Sequence, residues 1–188
     1  MSAHATNDTD ETAAALHRGA VVAYPTEAVW GLGCDPMDED ATLRLLALKQ
    51  RPVDKGLILV AAAVEQFAPY ADWSELPEAR RTAVLASWPG PHTWIVPARV
   101  RTPGWIRGNH AGIALRVSAH PQVAALCRAF GGAIVSTSAN RAGAPPPRTL
   151  SGLDPGLRDG VDMVLEGQTS GLERPTAIRD ALSGAILR

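Results

Sequence analysis

Ala20-Val21-Val22-Ala23-Tyr24-Pro25-Thr26-Glu27-Ala28-Val29-Trp30-Gly31-Leu32-Gly33-Cys34-Asp35-Pro36 joins an apolar run of strand length to a segment that Pro and Gly interrupt repeatedly. Ala20–Tyr24 reads as a buried strand that Pro25 stops. The segment after Pro25 is punctuated too often for a regular element and reads as a strand-to-helix connection. In open α/β sheets, ligands gather at such connections, beyond the carboxyl ends of the strands. Gly31-x-Gly33 lacks the third glycine of a dinucleotide fingerprint, so an ordinary turn remains the alternative reading.

Working outward, Asp10–Arg18 has the marks of a short helix: an acidic start, an alanine run, then His17, Arg18 and Gly19 as a stop. Met1–Thr12 is polar and acidic and does not resemble a signal peptide; residues 1–8 are expected to be poorly ordered. Downstream, Asp38 suits the N-cap of a helix over Ala41–Leu48, with Leu45 and Leu48 one turn apart. That helix delivers Lys49-Gln50-Arg51-Pro52-Val53-Asp54-Lys55-Gly56, and Leu57–Val60 comes next as a buried strand. A helix is expected over Leu76–Trp88, ended by Trp88-Pro89-Gly90-Pro91. Thr93–Pro97 and Ile113–Val117 read as strands, separated by a loop with Arg99, Arg101 and Arg107. Pro121–Phe130 is a helix with Pro at its first position and Gly131 past its end. Ala133–Ser136, Met163–Leu165, Ala177–Arg179 and Ala185–Leu187 complete the strands, the last three with little helix between them. The pattern predicts an α/β fold of α+β-like character: a single domain over 1–188 with a twisted, mixed, open sheet flanked by helices. Pro145-Pro146-Pro147 is stiff enough for a loop spacer or lid hinge.

With 46% hydrophobic and 20% charged residues, the 188-residue chain is globular. Its longest apolar run, Leu57–Val64, falls far short of the ~20 residues a membrane span needs. Cys34 and Cys127 lie far apart and form no metal or redox spacing, so a reducing cytoplasm is the expected location. A formal net charge of −1 excludes broad, nonspecific nucleic-acid affinity and leaves a local basic face open.

Lys49 and Lys55 are the two lysines among 18 basic residues. An ammonium and a guanidinium are not interchangeable, so their retention marks this stretch. Pro52 biases Arg51 to extended backbone, which places Lys49 and Arg51 roughly 6–7 Å apart and pointing one way. Such a pair suits a phosphate chain or a carboxylate; a solvated basic helix C-terminus is the other reading. Ser136-Thr137-Ser138-Ala139-Asn140 leaves a strand with Ser138 and Asn140 on one parity, fit for phosphate or purine edges or for common turn chemistry. Arg116, inside an apolar strand, is either salt-bridged or an anion clamp. His17, His92, His110 and His120 show no zinc spacing, and neither a nucleophile elbow nor a Walker A loop occurs.

Taken in order, Tyr24-Pro25-Thr26-Glu27, Lys49-x-Arg51-Pro52, Trp88-Pro89-Gly90-Pro91-x-Thr93, Arg116-Val117 and Ser138-x-Asn140 resemble the YrdC family, the threonylcarbamoyl-AMP synthases called TsaC in their short bacterial form. The resemblance runs from about Gly19 to the end. It implies that L-threonine and bicarbonate (or CO2) form an N-carboxy-threonine, which attacks the α-phosphorus of ATP and expels pyrophosphate. The product would pass to a tRNA threonylcarbamoyl transferase complex of the TsaD, TsaB and TsaE type, which modifies the adenosine beside the anticodon.

The same resemblance implies a catalytic tetrad of Lys49, Arg51, Ser138 and Asn140. ATP would meet these four together with Lys55, Thr93, Ser136, Arg148 and Arg179, and Mg2+ would be carried with the nucleotide. L-Threonine would meet Tyr24, Thr26, Arg116 and Thr176. No general base is evident, and an anionic carbamate held in place needs none. The Gly31/Gly33 loop and the 141–149 loop, with Arg141 and Arg148, are candidate lids. Ser118, where many relatives have proline, and His92, where an aliphatic residue is common, depart from the pattern. A competing reading is an RNA-binding module whose basic face comprises Arg99, Arg101, Arg107, Arg141 and Arg148.

Overall fold

The computed structural model describes residues 3–173 and 176–187. Its strands are β1 (His4–Thr6), β2 (Val22–Pro25), β3 (Trp30–Gly33), β4 (Ile58–Ala61), β5 (His92–Pro97), β6 (Gly112–Val117), β7 (Ile134–Ser138), β8 (Met163–Leu165) and β9 (Ala177–Asp180). The helices are α1 (Thr9–His17), α2 (Glu39–Lys49), α3 (Glu78–Ala86), α4 (Gly104–Arg107), α5 (Pro121–Phe130) and α6 (Pro155–Gly160). One mixed sheet takes the order β1-β8-β2-β3-β7-β4-β6-β5-β9. β1–β8, β2–β8, β4–β6 and β5–β9 are parallel, and the remaining neighbours are antiparallel.

Alternation along the central strands sorts residues between two apolar layers. Ala23, Leu32, Leu59, Leu115 and Val135 point to one side, where Leu45 and Leu46 of α2, Ile106 of α4 and Leu157 of α6 close the larger core. Val22, Tyr24, Val60 and Ile134 point to the other, under Ala13 and Leu16 of α1 and Val123, Leu126 and Cys127 of α5. Local chemistry starts and stops these helices. Asp8 and Asp38 accept N-terminal N–H groups of α1 and α2, and Gly131 at φ 78 ends α5 in the left-handed conformation.

Several expectations are corrected. The punctuated segment after Tyr24 contains a second strand: β2 and β3 form a hairpin whose turn is closed by the Thr26 N–H and Oγ–H, both donating to Val29 O, at 3.1 and 2.7 Å. Its glycines allow close approach instead of breaking the strand. A Cβ on Gly33 would run into Val135 O and come within 2.8 Å of Tyr24 Cε1. His4–Thr6, in the stretch expected to be poorly ordered, adds to β8 by backbone pairing; its side chains are largely exposed and leave no apolar pattern to read. That expectation for residues 1 and 2 lies outside the described residues.

The third helix is shorter than 76–88, because Trp73–Glu75 is a separate 3-10 turn and Pro77 caps the helix start. Ala185–Leu187 is not a strand. It is a return clipped to β9 by Asp180 N–H to Ala185 O and Leu187 N–H to Ile178 O. Lys49 is the last residue of α2, not part of an extended segment; Gln50, left-handed at φ 52, turns the chain between Lys49 and Arg51.

Candidate active site

α1 and α5 cover only part of their sheet face. Beyond their reach the same parity continues through Ser136 and Ser138 of β7, Ile58 of β4, Ala114 and Arg116 of β6 and Ile95 of β5, and these residues floor a cavity of about 900 Å³. That lies in the range typical of small-molecule sites, about 300–1,000 Å³. Five cations line it, namely Lys49, Arg51, Lys55, Arg107 and Arg116, together with His110; among the described residues no Asp or Glu does.

The cations divide between two ends. Gly112 and Arg116 lie on the same face of β6, four residues and hence about 13 Å apart. Small residues, Gly112 and Ala114, keep the floor between the ends low.

At the first end, Lys49 is only 4% exposed. Its Nζ donates to the Ser138 carbonyl and, at 2.6 Å, to the Asn140 carbonyl, leaving one ammonium proton for a ligand. Burial, aided by the Arg51 charge, pushes the Lys49 pKa down to about 8. Arg51 donates to the Gly56 and Lys55 carbonyls at 3.0 and 3.4 Å, so it also braces the turn that presents Lys55. The 106–110 loop locks against this turn: Leu57 N–H donates to Ile106 O, and Asn109 N–H to Asp54 O. A Cβ on Gly56 would lie 2.7 Å from Arg107 O, so the two loops meet backbone to backbone. Asn140 donates through Nδ2 to the Arg141 and Ala144 carbonyls, and its buried Oδ1 has no partner among the described residues.

At the other end, Arg116 donates through NH1 to Thr176 Oγ1 at 3.2 Å, and its NH2 is 3.5 Å from Glu27 Oε2. Its Nε–H has no acceptor among the described residues. Burial pushes the Glu27 carboxyl up, but Arg116, the Ser118 hydroxyl and backbone N–H groups hold it below its ordinary value. Thr26, next in sequence to Glu27, also lines the cavity, its hydroxyl donating to Val29 O. Arg116 is therefore ion-paired and at the same time faces the cavity.

Of the residues expected at the site, Lys49, Arg51, Lys55, Ser136, Ser138, Asn140, Thr26, Arg116 and Thr176 line the cavity. Four do not. Tyr24 is fully buried beneath the hairpin, its hydroxyl donating to Val135 O at 3.2 Å. Thr93 is fully buried, its hydroxyl 3.2 Å from that of Thr176, so it backs a lining residue. Arg148 donates to the Glu173 carbonyl. Arg179 pairs in register with Trp94 and lies over that indole at 5.8 Å, because its parity on β9 directs it to the face opposite the cavity.

Of the candidate lids, Gly31 and residues Ala142, Gly143 and Pro146 of the second loop line the cavity. Trp30 N–H to Pro147 O and Ala142 N–H to Lys49 O moor that loop. Reading the sequence alone misses Glu27, Arg107 and His110. Glu27 lies in the Tyr24-Pro25-Thr26-Glu27 motif with nothing local to give it a role. Arg107 reads as one of several loop arginines, because the approach of 106–110 to the 51–56 turn is a tertiary contact.

Comparison with known proteins adds four observations. A family model for Sua5, YciO and YrdC, described as telomere recombination, matches residues 14–188. The threonylcarbamoyl-AMP synthase of Xanthomonas campestris pv. campestris (strain B100) is 57% identical over 183 residues, 97% of this chain and 98% of that protein. The protein of the same name from Stenotrophomonas maltophilia (strain K279a) is 58% identical over 179 residues, 95% of this chain and 96% of that protein. Among solved structures, P. abyssi Sua5 complexed with L-threonine matches with a TM-score of 0.86 at 27% identity; the match covers 96% of this chain and 54% of that longer one.

Proposed function

The chain belongs to the family of Sua5, YciO and YrdC, and on that premise we propose that it is a threonylcarbamoyl-AMP synthase. It joins L-threonine, bicarbonate or CO2, and ATP into L-threonylcarbamoyladenylate and releases pyrophosphate. The observation that carries this reading is the lining: five cations and no carboxylate among the described residues, in a chain of net charge −1. Such a cavity holds an anion of high charge at one end and a carboxylate at the other.

Arg116 receives the threonine carboxylate, with Thr26 and Thr176 beside it to read the substrate hydroxyl. The threonine amine forms a carbamate, losing water with bicarbonate or a proton with CO2, and a carbamate oxygen attacks the α-phosphorus. One P–O bond forms as the bond to pyrophosphate breaks on the far side, in line. Lys49 and the Ser138 hydroxyl lie at the α-phosphate, where charge builds, and Asn140, its Nδ2 held by the Arg141 and Ala144 carbonyls, offers its Oδ1 to a ribose hydroxyl. Arg51, Lys55, Arg107 and His110 lie on the pyrophosphate side. The mixed-anhydride product hydrolyses readily, so the moored 141–149 loop serves to exclude water. Mg2+, carried with the nucleotide, would offset the charge of the phosphates; among the described residues no carboxylate lines the cavity to hold it.

The product is then taken by a threonylcarbamoyl transferase complex of the TsaD, TsaB and TsaE type acting on tRNA, in the cytoplasm. No helix among the described residues is long and apolar enough to cross a membrane. Contact with RNA is at most secondary: Arg107 faces the cavity, and Arg99 donates to Ala71 O. RNA held by a basic face would dissociate between low and moderate salt, whereas threonine binding should barely respond.

Mass spectrometry of the nucleotide product, run alongside pyrophosphate release, tests the assignment. Release should require both L-threonine and bicarbonate and yield threonylcarbamoyl-AMP. Equal release with serine, or without bicarbonate, overturns the substrate assignment.

Two further outcomes are expected. Arg107→Ala should raise the KM for ATP about tenfold while leaving the KM for threonine unchanged, the loss of one exposed phosphate contact. Steady-state kinetics with each substrate varied in turn checks it. The second concerns protons. In the free protein Lys49 loses its proton as pH rises through about 8. A polyphosphate favours the charged form, so binding above that pH must restore the proton. Nucleotide affinity should therefore fall as pH rises past about 8, with proton uptake seen calorimetrically in buffers of different ionisation enthalpy. Lys49→Ala should abolish the uptake and flatten this pH dependence.

A further inference from the structure

Glu27 lies in the β2–β3 turn, 5% exposed, with no direct place in the cavity lining. Its Oε1 accepts the Ser118 hydroxyl at 2.7 Å and the Ala119 N–H at 3.1 Å, both in the turn after β6. Its Oε2 faces Arg116 NH2 at 3.5 Å. Its backbone carbonyl accepts Leu172 N–H at 3.0 Å, anchoring the segment that leads toward Thr176.

That segment is held a second time through the same turn. His120 N–H donates to Ser118 Oγ at 3.2 Å. With its Nδ1 accepting Val123 N–H at 3.4 Å, His120 donates from Nε2 to Gln168 O at 3.0 Å. One residue thus touches all three chain segments that carry Thr26, Arg116 and Thr176.

The geometry points to Glu27 as the positioning residue of the amino-acid end, fixing the Arg116 guanidinium so that its unpartnered Nε–H edge meets the carboxylate of an α-amino acid. This rests on the reading of that end as the threonine site. The carboxylate does two things that no neutral group does together. It accepts from the β6 turn on one oxygen and balances a buried guanidinium on the other; a buried charge stripped of its partner is strongly unfavourable. A glutamine in its place can keep the first role with its carbonyl. Its NH2 then faces Arg116 NH2, donor against donor, and drives the guanidinium out of line. Ser118 supplies the hydroxyl in this network.

The test is a double-mutant cycle on L-threonine binding, read by NMR titration without nucleotide and by kinetics. Glu27→Gln is expected to weaken threonine binding about tenfold or more. Its KM for ATP should stay within about twofold, because among the described residues nothing at the phosphate end touches Glu27. Arg116→Gln should also weaken threonine binding, and adding Glu27→Gln to it should cost nothing further. Ser118→Ala should raise the threonine KM alone, by about threefold, the loss of one hydrogen bond; it carries the test if Glu27→Gln fails to fold.

Threonine binding that is unchanged or tighter in Glu27→Gln overturns the proposal. So do equal losses for both substrates, or effects of the two substitutions that simply add, since those are marks of a structural role. With Ser118→Ala as the surviving variant, an unchanged threonine KM overturns it. If the unaltered protein itself neither binds threonine nor makes the adenylate, the functional reading fails instead.

Discussion

Lys49→Ala is expected to lower turnover about 10²–10³-fold, the loss seen when one preorganised donor is removed from developing transition-state charge. The physical reason is in its placement. Two carbonyls, those of Ser138 and Asn140, hold the ammonium at the end of β7, and burial leaves it little water to compete with a phosphate. An arginine cannot substitute: a planar guanidinium does not fit a point-charge pocket between two carbonyls. Lys49→Ala also leaves those carbonyls without their donor, so a modest loss of stability accompanies the kinetic one. Arg51→Ala should lose a comparable factor, with the added effect that the 51–56 turn is no longer braced by its guanidinium. Single-turnover formation of the adenylate, measured at saturating threonine, bicarbonate and ATP, separates the chemical loss from weakened binding. Near-normal turnover in Lys49→Ala would remove it from the chemistry and leave it a structural residue.

Gly33→Ala is expected to destabilise the fold by about 3 kcal/mol, the upper part of the range for overpacking a tight core. The added carbon would press on the Val135 carbonyl and approach Tyr24 Cε1 to 2.8 Å. Neither can yield cheaply: one is backbone of the neighbouring strand, the other a fully buried ring. For a chain of this size the melting temperature should fall by about 6–12 °C. Gly104→Ala is the control, because nothing lies within 4 Å of its Cβ position; its stability should change by about 0.5 kcal/mol or less. Thermal unfolding of both variants decides the matter. Equal melting temperatures would mean that the hairpin is free to shift away from β7.

Both expectations bear on how far the linear chain can be read. The helix over 41–48 and the strand over 57–60 are local patterns, and so is the cationic stretch between them. The Ser138-x-Asn140 exit from β7 is equally plain, and these parts meet in one cavity. Yet the stretch from Pro25 to Gly33 has the look of an interrupted loop. Its glycines carry no outward sign of strand structure; what makes them strand residues is the Tyr24 ring and the Val135 carbonyl, the latter about a hundred positions away. Arg179 shows the converse. A basic residue near the end is expected to reach phosphate, but strand alternation directs it to Trp94 on the other face.

The amino-acid sequence by itself determined the mixed α/β class, the helices near 10–18, 41–48 and 121–130, the cation pair and the family. Each arises from near neighbours or from an ordered set of short motifs. Tertiary structure alone decided which sheet face stays uncovered, that Glu27 stands behind Arg116, and that Arg107 and His110 join the phosphate end. Alternation offers every strand two faces, and only the long-range packing of α1 and α5 selects the portion left open to a ligand.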